Sequence, residues 1–533
     1  LKLDFVNIHK MKKTLTFFFC ALSSLIGAQN AYNQFGWGTT STLGYSNYSK
    51  LANGDLLLIA DASTGVDGNK TTDNFGMADL WVTRITSNNQ VLWQKSYGGT
   101  LYDDRGNIKE LNNGDLLITC RSNSPISGNK TVDTKGDYDF WVMRTNATGD
   151  ILWQKTFGTS GTDVPVDIVA ISDTLFCLVG VSDFQGIEGD KTENSSGNLD
   201  YWIVLIDENG NKIWDKTIGG TSGDGAAKGI WDAQNQRIYI VGSSTSGIGG
   251  LKTEVHYGIQ DMWLVSLDLN GNLMGQKTIG GSNSDEVSAI SLDNQGNIFL
   301  ASSSNSDISG TKTQNSFGLY DSWLVKLNSN LEILGDYSFG GTDYDNLYSI
   351  LVRDNGQLIL TCGSASEVNG NKTEPLKGAY DCWFIGLNEV TLEIEWETVI
   401  GGSLIDSPLI FWETPDSYKV VSISGSPISI DKTVSSWGET DFWVYEFSKT
   451  VALEELSNDM LIYPNPSQDF ITLKSEDSNF SAFTITDING RISKQGELTN
   501  TSKISVSELQ KGIYLITLKN KQGIETKQKF VKE

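Results

Sequence analysis

Groups able to do chemistry are unevenly supplied in this chain of 533 residues: two histidines, His9 and His256, against 65 acidic and 40 basic residues. A serine–histidine or cysteine–histidine system in the mature chain would have one available base, His256. Neither a GxSxG elbow nor an HExxH helix motif occurs. Acid–base hydrolysis of a glycosidic bond needs two carboxylates at a set separation. With 65 acids such a pair is always on offer, so its presence proves nothing. Gly-x-Lys-Thr pieces such as GNKT at Gly68, Gly128 and Gly370 lack the full phosphate-loop pattern. No cofactor and no metal site is expected. A net charge of -25 and a pI near 4.5 argue against a nucleic-acid partner, because a phosphate backbone needs basic surface.

The acids that do stand out are periodic. An Asp-x-Trp pair occurs at Asp79/Trp81, Asp139/Trp141, Asp200/Trp202, Asp261/Trp263, Asp321/Trp323, Asp381/Trp383 and Asp441/Trp443, with 60 or 61 residues between copies. A Lys-Thr pair begins nine residues before each Asp, at Lys70, Lys130, Lys191, Lys252, Lys312, Lys372 and Lys432. Glycine-rich links such as GGTSGD at Gly219 end in a second acid: Asp103, Asp163, Asp224, Asp285, Asp345 or Asp406; the first unit has Ser41 there. One reading is a binding face for glycan or protein, or a set of oxygen ligands for a cation. The structural reading carries more weight, because a residue present in every copy usually serves the fold of every copy. In it the glycines fit a tight turn, the Asp accepts backbone N–H groups, and the Lys pairs with a nearby Asp. Residues that break the repeat, Gly275, Gly335, His256, Pro375, Trp412 and Trp437, form no recognisable constellation.

The elements that must position these groups are short strands. Each unit holds four, as in LYSILV, QLILTCGSA, CWFIGL and IEWETVI between Asp345 and Gly402, with turns rich in Asn, Asp and Gly. Four antiparallel strands written seven times predict a seven-bladed β-propeller over residues 29–450. Trp202, Val204 and Ile206 share one face of their strand, so each repeated Trp is expected in the core between blades. The last unit stops after its third strand, DFWVYEFSK, and AYNQFG at Ala31–Gly36 has the form that precedes glycine in WQKSYG. Residues near 30–35 are therefore expected to supply the missing outer strand and close the ring. Quinoprotein and sialidase-type propellers are poor matches: the blade count and docking pattern differ from the first, and the SxDxGxTW box of the second is missing.

Residues 1–28 read as upstream residues plus a signal peptide, MKKTLTFFFCALSSLIGAQN, cut near Ala28. Its apolar run is too short for a membrane anchor, and no membrane span is expected in the mature chain. Four cysteines remain after the cut. Cys362 and Cys382, on neighbouring strands of one unit, are a candidate disulfide.

After an acidic linker at 451–460 the text changes, and residues 461–533 read as a small β-sandwich. The segment resembles the type A C-terminal sorting domain of the type IX secretion system of Bacteroidota. The matching residues are Tyr463, Pro464, Asn465 and Pro466, DINGR with Gly490, ISVSEL, the KGIY run with Gly512 and Tyr514, and a terminal KFVK with Lys529 and Lys532. The resemblance implies a partnership with the type IX machinery, removal of the module, and a secreted or outer-surface location. The function expected is a non-catalytic surface propeller binding glycan or protein. The rival is a secreted polysaccharide-acting enzyme using acidic residues on the propeller.

Overall fold

In this computed structural model the described residues are 31–449, except 42, 45, 354–356 and 389, and 460–533, except 476–479, 488–490, 499–502 and 521–524. The expected signal peptide and cut site, most of the expected linker, and Gly490 lie outside them. The chain forms two compact units, one ending at Lys449 and the other beginning at Thr450.

The first unit is built from seven antiparallel four-stranded sheets. The third sheet is representative: Asp163–Ser172, Leu175–Ser182, Asp200–Asp207 and Lys212–Ile218, paired in that order. The first strands of successive sheets pack on one another, and the series closes where Ser46–Lys50 meets Asp406–Glu413. First strands therefore surround the axis and fourth strands form the outside, the arrangement of a β-propeller.

Strand alternation decides the packing. Trp202, Val204 and Ile206 share a cluster with Phe140, Val142 and Phe157 of the preceding sheet. Tyr201, Ile203 and Leu205, pointing the other way, share one with Trp263, Val265 and Leu267 of the next. All seven repeated tryptophans are buried. A Trp side chain covers about 150–250 Å², so at about 25 cal/mol per Å² each contributes about 4–6 kcal/mol before ordering costs.

The last sheet is completed from the N-terminus. Tyr32–Trp37 pairs antiparallel with Asp441–Ser448, with Gly36 opposite Trp443 and Trp37 opposite Phe442. The register differs by two residues from the alignment on AYNQFG. Ser96 is the residue opposite Trp81, so Gly36 corresponds to Ser96, and Gly38 corresponds to Gly98. A one-residue bulge lies between Tyr32 and Phe35, before these pairs.

The disulfide expectation is corrected. Cys362 lies opposite Trp383 and Cys382 opposite Gly363. Adjacent residues of one strand face opposite ways, so the two thiols point to different sides of the sheet. Both are free and buried, as are Cys120 and Cys177.

The second unit has a three-stranded sheet (Met460–Tyr463, Phe470–Ser475, Lys503–Ser505) and a four-stranded one (Ile492–Glu497, Phe480–Asp487, Gly512–Asn520, Glu525–Lys532). Ile462, Ile471 and Ile504 of the first share a core with Ile485, Ile516 and Phe530 of the second.

Candidate functional site: the loop face of the propeller

Two sets of connections meet on one end of the propeller. The loop between second and third strands reaches the links between sheets through backbone bonds in every blade, for example Asn129 N–H to the Gly98 carbonyl and Leu251 N–H to that of Gly219. Neighbouring loops also touch. Lys135 pairs with Asp190 and Lys377 with Asp431, each across a blade boundary. The loops together form a crown on this end, tied directly at these two boundaries.

The repeated charged residues are inside this crown, not on it. The Asp of every Asp-x-Trp is buried. One of its oxygens accepts the N–H of the residue four positions earlier, as Asp261 does from Tyr257 (2.7 Å) and Asp381 from Lys377 (2.7 Å). The other oxygen lies against the first glycine of the link. A Cβ at Gly158 would come within 1.9 Å of Asp139 Oδ1, and one at Gly401 within 1.9 Å of Asp381 Oδ1. Glycine is required there because the carboxylate occupies the side-chain space. The link acids work alike: Asp103 accepts the Gly99 N–H and the Ser124 hydroxyl, both at 2.7 Å, and Asp345 accepts from Gly341 (2.7 Å) and Ser366 (2.6 Å).

The seven lysines are buried too. They bond mainly to carbonyl and hydroxyl oxygens rather than directly to the acids expected as their partners. Lys252 donates to Ser244 Oγ (2.6 Å) and Lys312 to Ser338 Oγ (3.0 Å). Four of them, Lys130, Lys252, Lys312 and Lys372, also lie over the repeated Trp at 4.8–5.9 Å from the ring centre. The Thr that follows each Lys is held through its N–H by a fourth-strand side chain that also accepts the Trp Nε1–H. Gln154 does this for Thr131 and Trp141, and Asp336 for Thr313 and Trp323. In the last blade the acceptor is Gln34, from the far end of the chain, bonding Thr433 and Trp443.

Burial sets the titration of this network. It pushes Asp139 up to about 7 and Asp79, Asp321 and Asp381 up to about 6, with the neighbouring link acid adding to the rise. It pulls Lys70 and Lys312 down to about 8.

The repeat-breaking residues do not gather. Trp412 is buried in the innermost strand of the last blade, whereas Trp437 is exposed on its loop. His256 stands three blades away with Nδ1 2.8 Å from Asp261 Oδ2. Among the described residues no group of three or more His, Cys, Asp or Glu is arranged to hold a metal ion.

The face exposes something the motifs did not single out. Val66, Ile126, Ile187, Ile248, Ile308, Val368 and Ile428 stand at one place in each loop, four residues before the buried lysine, and are 55–64% exposed. Their constant offset was available in the sequence, but exposure separates them from core residues, and only the fold supplies it. Ile430 is a further departure. It has φ 51 where six other blades have glycine at φ 56–61. A left-handed backbone costs a side-chain-bearing residue about 1–2 kcal/mol.

In the second unit, residues far apart in sequence meet. Asn465 Oδ1 accepts the Val531 N–H (2.9 Å), Ser467 N–H donates to the Val531 carbonyl, and Tyr514 stacks on Phe530 at 5.7 Å. Gly512 lies opposite Lys532, the Pro464 and Pro466 peptide bonds are cis, and Tyr463 is exposed.

The first unit is thus a β-propeller whose repeated polar residues hold its own loops. Residues 461–533 of the other unit match the family described as secretion system C-terminal sorting domain. This is the type IX, type A module indicated by its residues, and it implies a secreted or outer-surface location reached through that machinery. The chain is 26% identical over 284 residues to the regulatory protein FlaEY of Caulobacter vibrioides, covering 49% of this chain and 28% of that protein. The chain thus spans under a third of that relative's length. Among solved structures it is similar to BBS1N in complex with ARL6DN (TM-score 0.41, 9% identity, 80% of this chain and 99% of that one). It is also similar to the Neurospora crassa Pan2 WD40 domain (TM-score 0.39, 7% identity, 77% and 95%). A third is the quinohemoprotein alcohol dehydrogenase of Comamonas testosteroni (TM-score 0.40, 10% identity, 88% and 81%). Likenesses at this level carry no function, and the propeller assignment rests on the chain's own strand pairing. Among the described residues no helix is long and apolar enough to cross a membrane.

Proposed function

We propose that this is a non-catalytic binding propeller, residues 29–450, delivered outside the cell by its sorting domain, residues 461–533, across a linker at 451–460. One observation carries the reading. The carboxylates that recur in pairs are buried, and each already accepts backbone or hydroxyl hydrogen bonds. An acid that must protonate a glycosidic oxygen has to reach it. These acids face glycine backbone instead. The same holds for the lysines, whose ammonium groups are engaged by the loops they organise. What the crown offers to solvent is a surface for contact.

The test uses the full mature chain against a glycan array and a panel of polypeptides, followed by a product assay on any glycan bound. Binding without product supports the reading. Turnover that disappears when one acidic residue is neutralised would replace it with a polysaccharide-acting enzyme.

A further inference from the structure

The repeated residues that serve the blades are all inside: the Asp, Lys and Trp of each motif are buried. The repeated aliphatic of the loop is outside, so packing within the blade does not account for its recurrence. Ile430 sharpens the point. A β-branched residue occupies a left-handed position that glycine fills in the other blades, and its side chain is 59% exposed. Backbone strain accepted for an exposed apolar side chain is a mark of a surface under functional constraint. Trp437, 51% exposed on the same loop, adds to it, as do Leu404 and Ile405 on the adjoining link.

The charge around this ring has one sign. Asp67, Glu188, Asp307 and Glu367 directly adjoin a ring aliphatic. The seven loop lysines are buried, and Lys135 and Lys377 are paired with Asp190 and Asp431. Acids therefore adjoin the ring aliphatic in the first, third, fifth and sixth blades. Anionic lipid headgroups and acidic polysaccharides would be repelled by such a face. A polypeptide with both cationic and apolar side chains matches both features.

We propose that the loop face binds a basic polypeptide bearing aliphatic or aromatic side chains, seated on the ring where the sixth, seventh and first blades meet, around Ile430. This rests on the binding reading above and names its partner class.

The probe is a synthetic peptide alternating lysine and leucine, titrated onto the full mature chain at low salt. Controls are the glutamate–leucine counterpart and phosphatidylglycerol vesicles. The wild-type chain is expected to bind the lysine–leucine peptide and neither control. A Val66→Ser/Val368→Ser/Ile428→Ser variant is expected to bind it at least tenfold more weakly with the melting temperature unchanged. Ile430→Gly is expected to weaken binding while raising the melting temperature, a combination that a purely structural role does not produce. Equal binding by both variants, equal binding of the glutamate–leucine peptide, or vesicle binding that depends on the ring would overturn the proposal. A glycan or polypeptide held at full strength by both variants would keep the binding reading and discard the ring.

Discussion

At the scale of single residues, the buried acids and lysines make stability depend on pH in a defined direction. Asp139 titrates near 7 and Asp79, Asp321 and Asp381 near 6 in the folded chain, against 3.8 ordinarily. Between these values the folded state binds more protons than the unfolded one, so stability falls as pH rises from about 4 to 7. Lys70 and Lys312, lowered to about 8, act in the opposite sense, and the stability deficit they cause shrinks as pH rises above 8. The melting temperature is therefore expected to be higher at pH 5 than at pH 7.5, measured by calorimetry. Asp139→Asn keeps a hydrogen-bond acceptor for the Lys135 N–H without the charge. It should raise the melting temperature relative to wild type more at pH 7.5 than at pH 5. Glycine offers a second contrast. Gly158→Ala drives a Cβ to 1.9 Å from Asp139 Oδ1, whereas a Cβ at Gly247 meets nothing within 4 Å. The first substitution should cost about 3 kcal/mol or more and the second under about 0.5 kcal/mol, read by chemical denaturation.

At the scale of elements, one six-residue strand closes the ring. Tyr32–Trp37 covers the open edge of Asp441–Ser448 and brings Gln34 to Trp443 and Thr433. Gln34→Ala leaves the buried Trp443 Nε1–H and the Thr433 N–H without their acceptor, at a cost of about 1–3 kcal/mol. Deleting residues 29–37 exposes a full strand edge, and the expected outcome is aggregation on size-exclusion chromatography. The cysteine-bearing strands give a simpler check. Native protein should resist thiol reagents, and all four cysteines of the mature chain should react after unfolding without reductant. An unreactive pair at Cys362 and Cys382 would contradict the free thiols.

At the scale of the whole molecule, the proposed function gives the propeller the working surface and the sorting module the address. The sorting module carries its own core, in which Ile471, Ile485 and Phe530 are fully buried. Removing residues 461–533 is expected to leave the propeller in the periplasm, read by cell fractionation and immunoblotting. The truncated chain appearing at the surface or in the medium in normal amount would show that the address lies elsewhere.

Much of this architecture is legible in the sequence because it is periodic. Seven Asp-x-Trp pairs at a 60–61-residue spacing specify repeated sheets, since strand alternation and turn chemistry act locally and are written anew in each copy. The missing last strand is legible for the same reason. Its register is not: Gly36 pairs with Trp443, which puts Gly38, rather than Gly36, in the glycine position facing Asp441. Cys362 and Cys382 look like neighbours along the chain, yet a one-residue offset across the ladder sends their thiols to opposite sides. The candidate site shows the deepest divide. Asp, Lys, Ile and Val recur with equal regularity in the loops, and nothing in their spacing says which face water. Only the folding of each loop onto the preceding link, with carboxylate against glycine and ammonium against carbonyl, buries the charged residues and leaves the aliphatics outside.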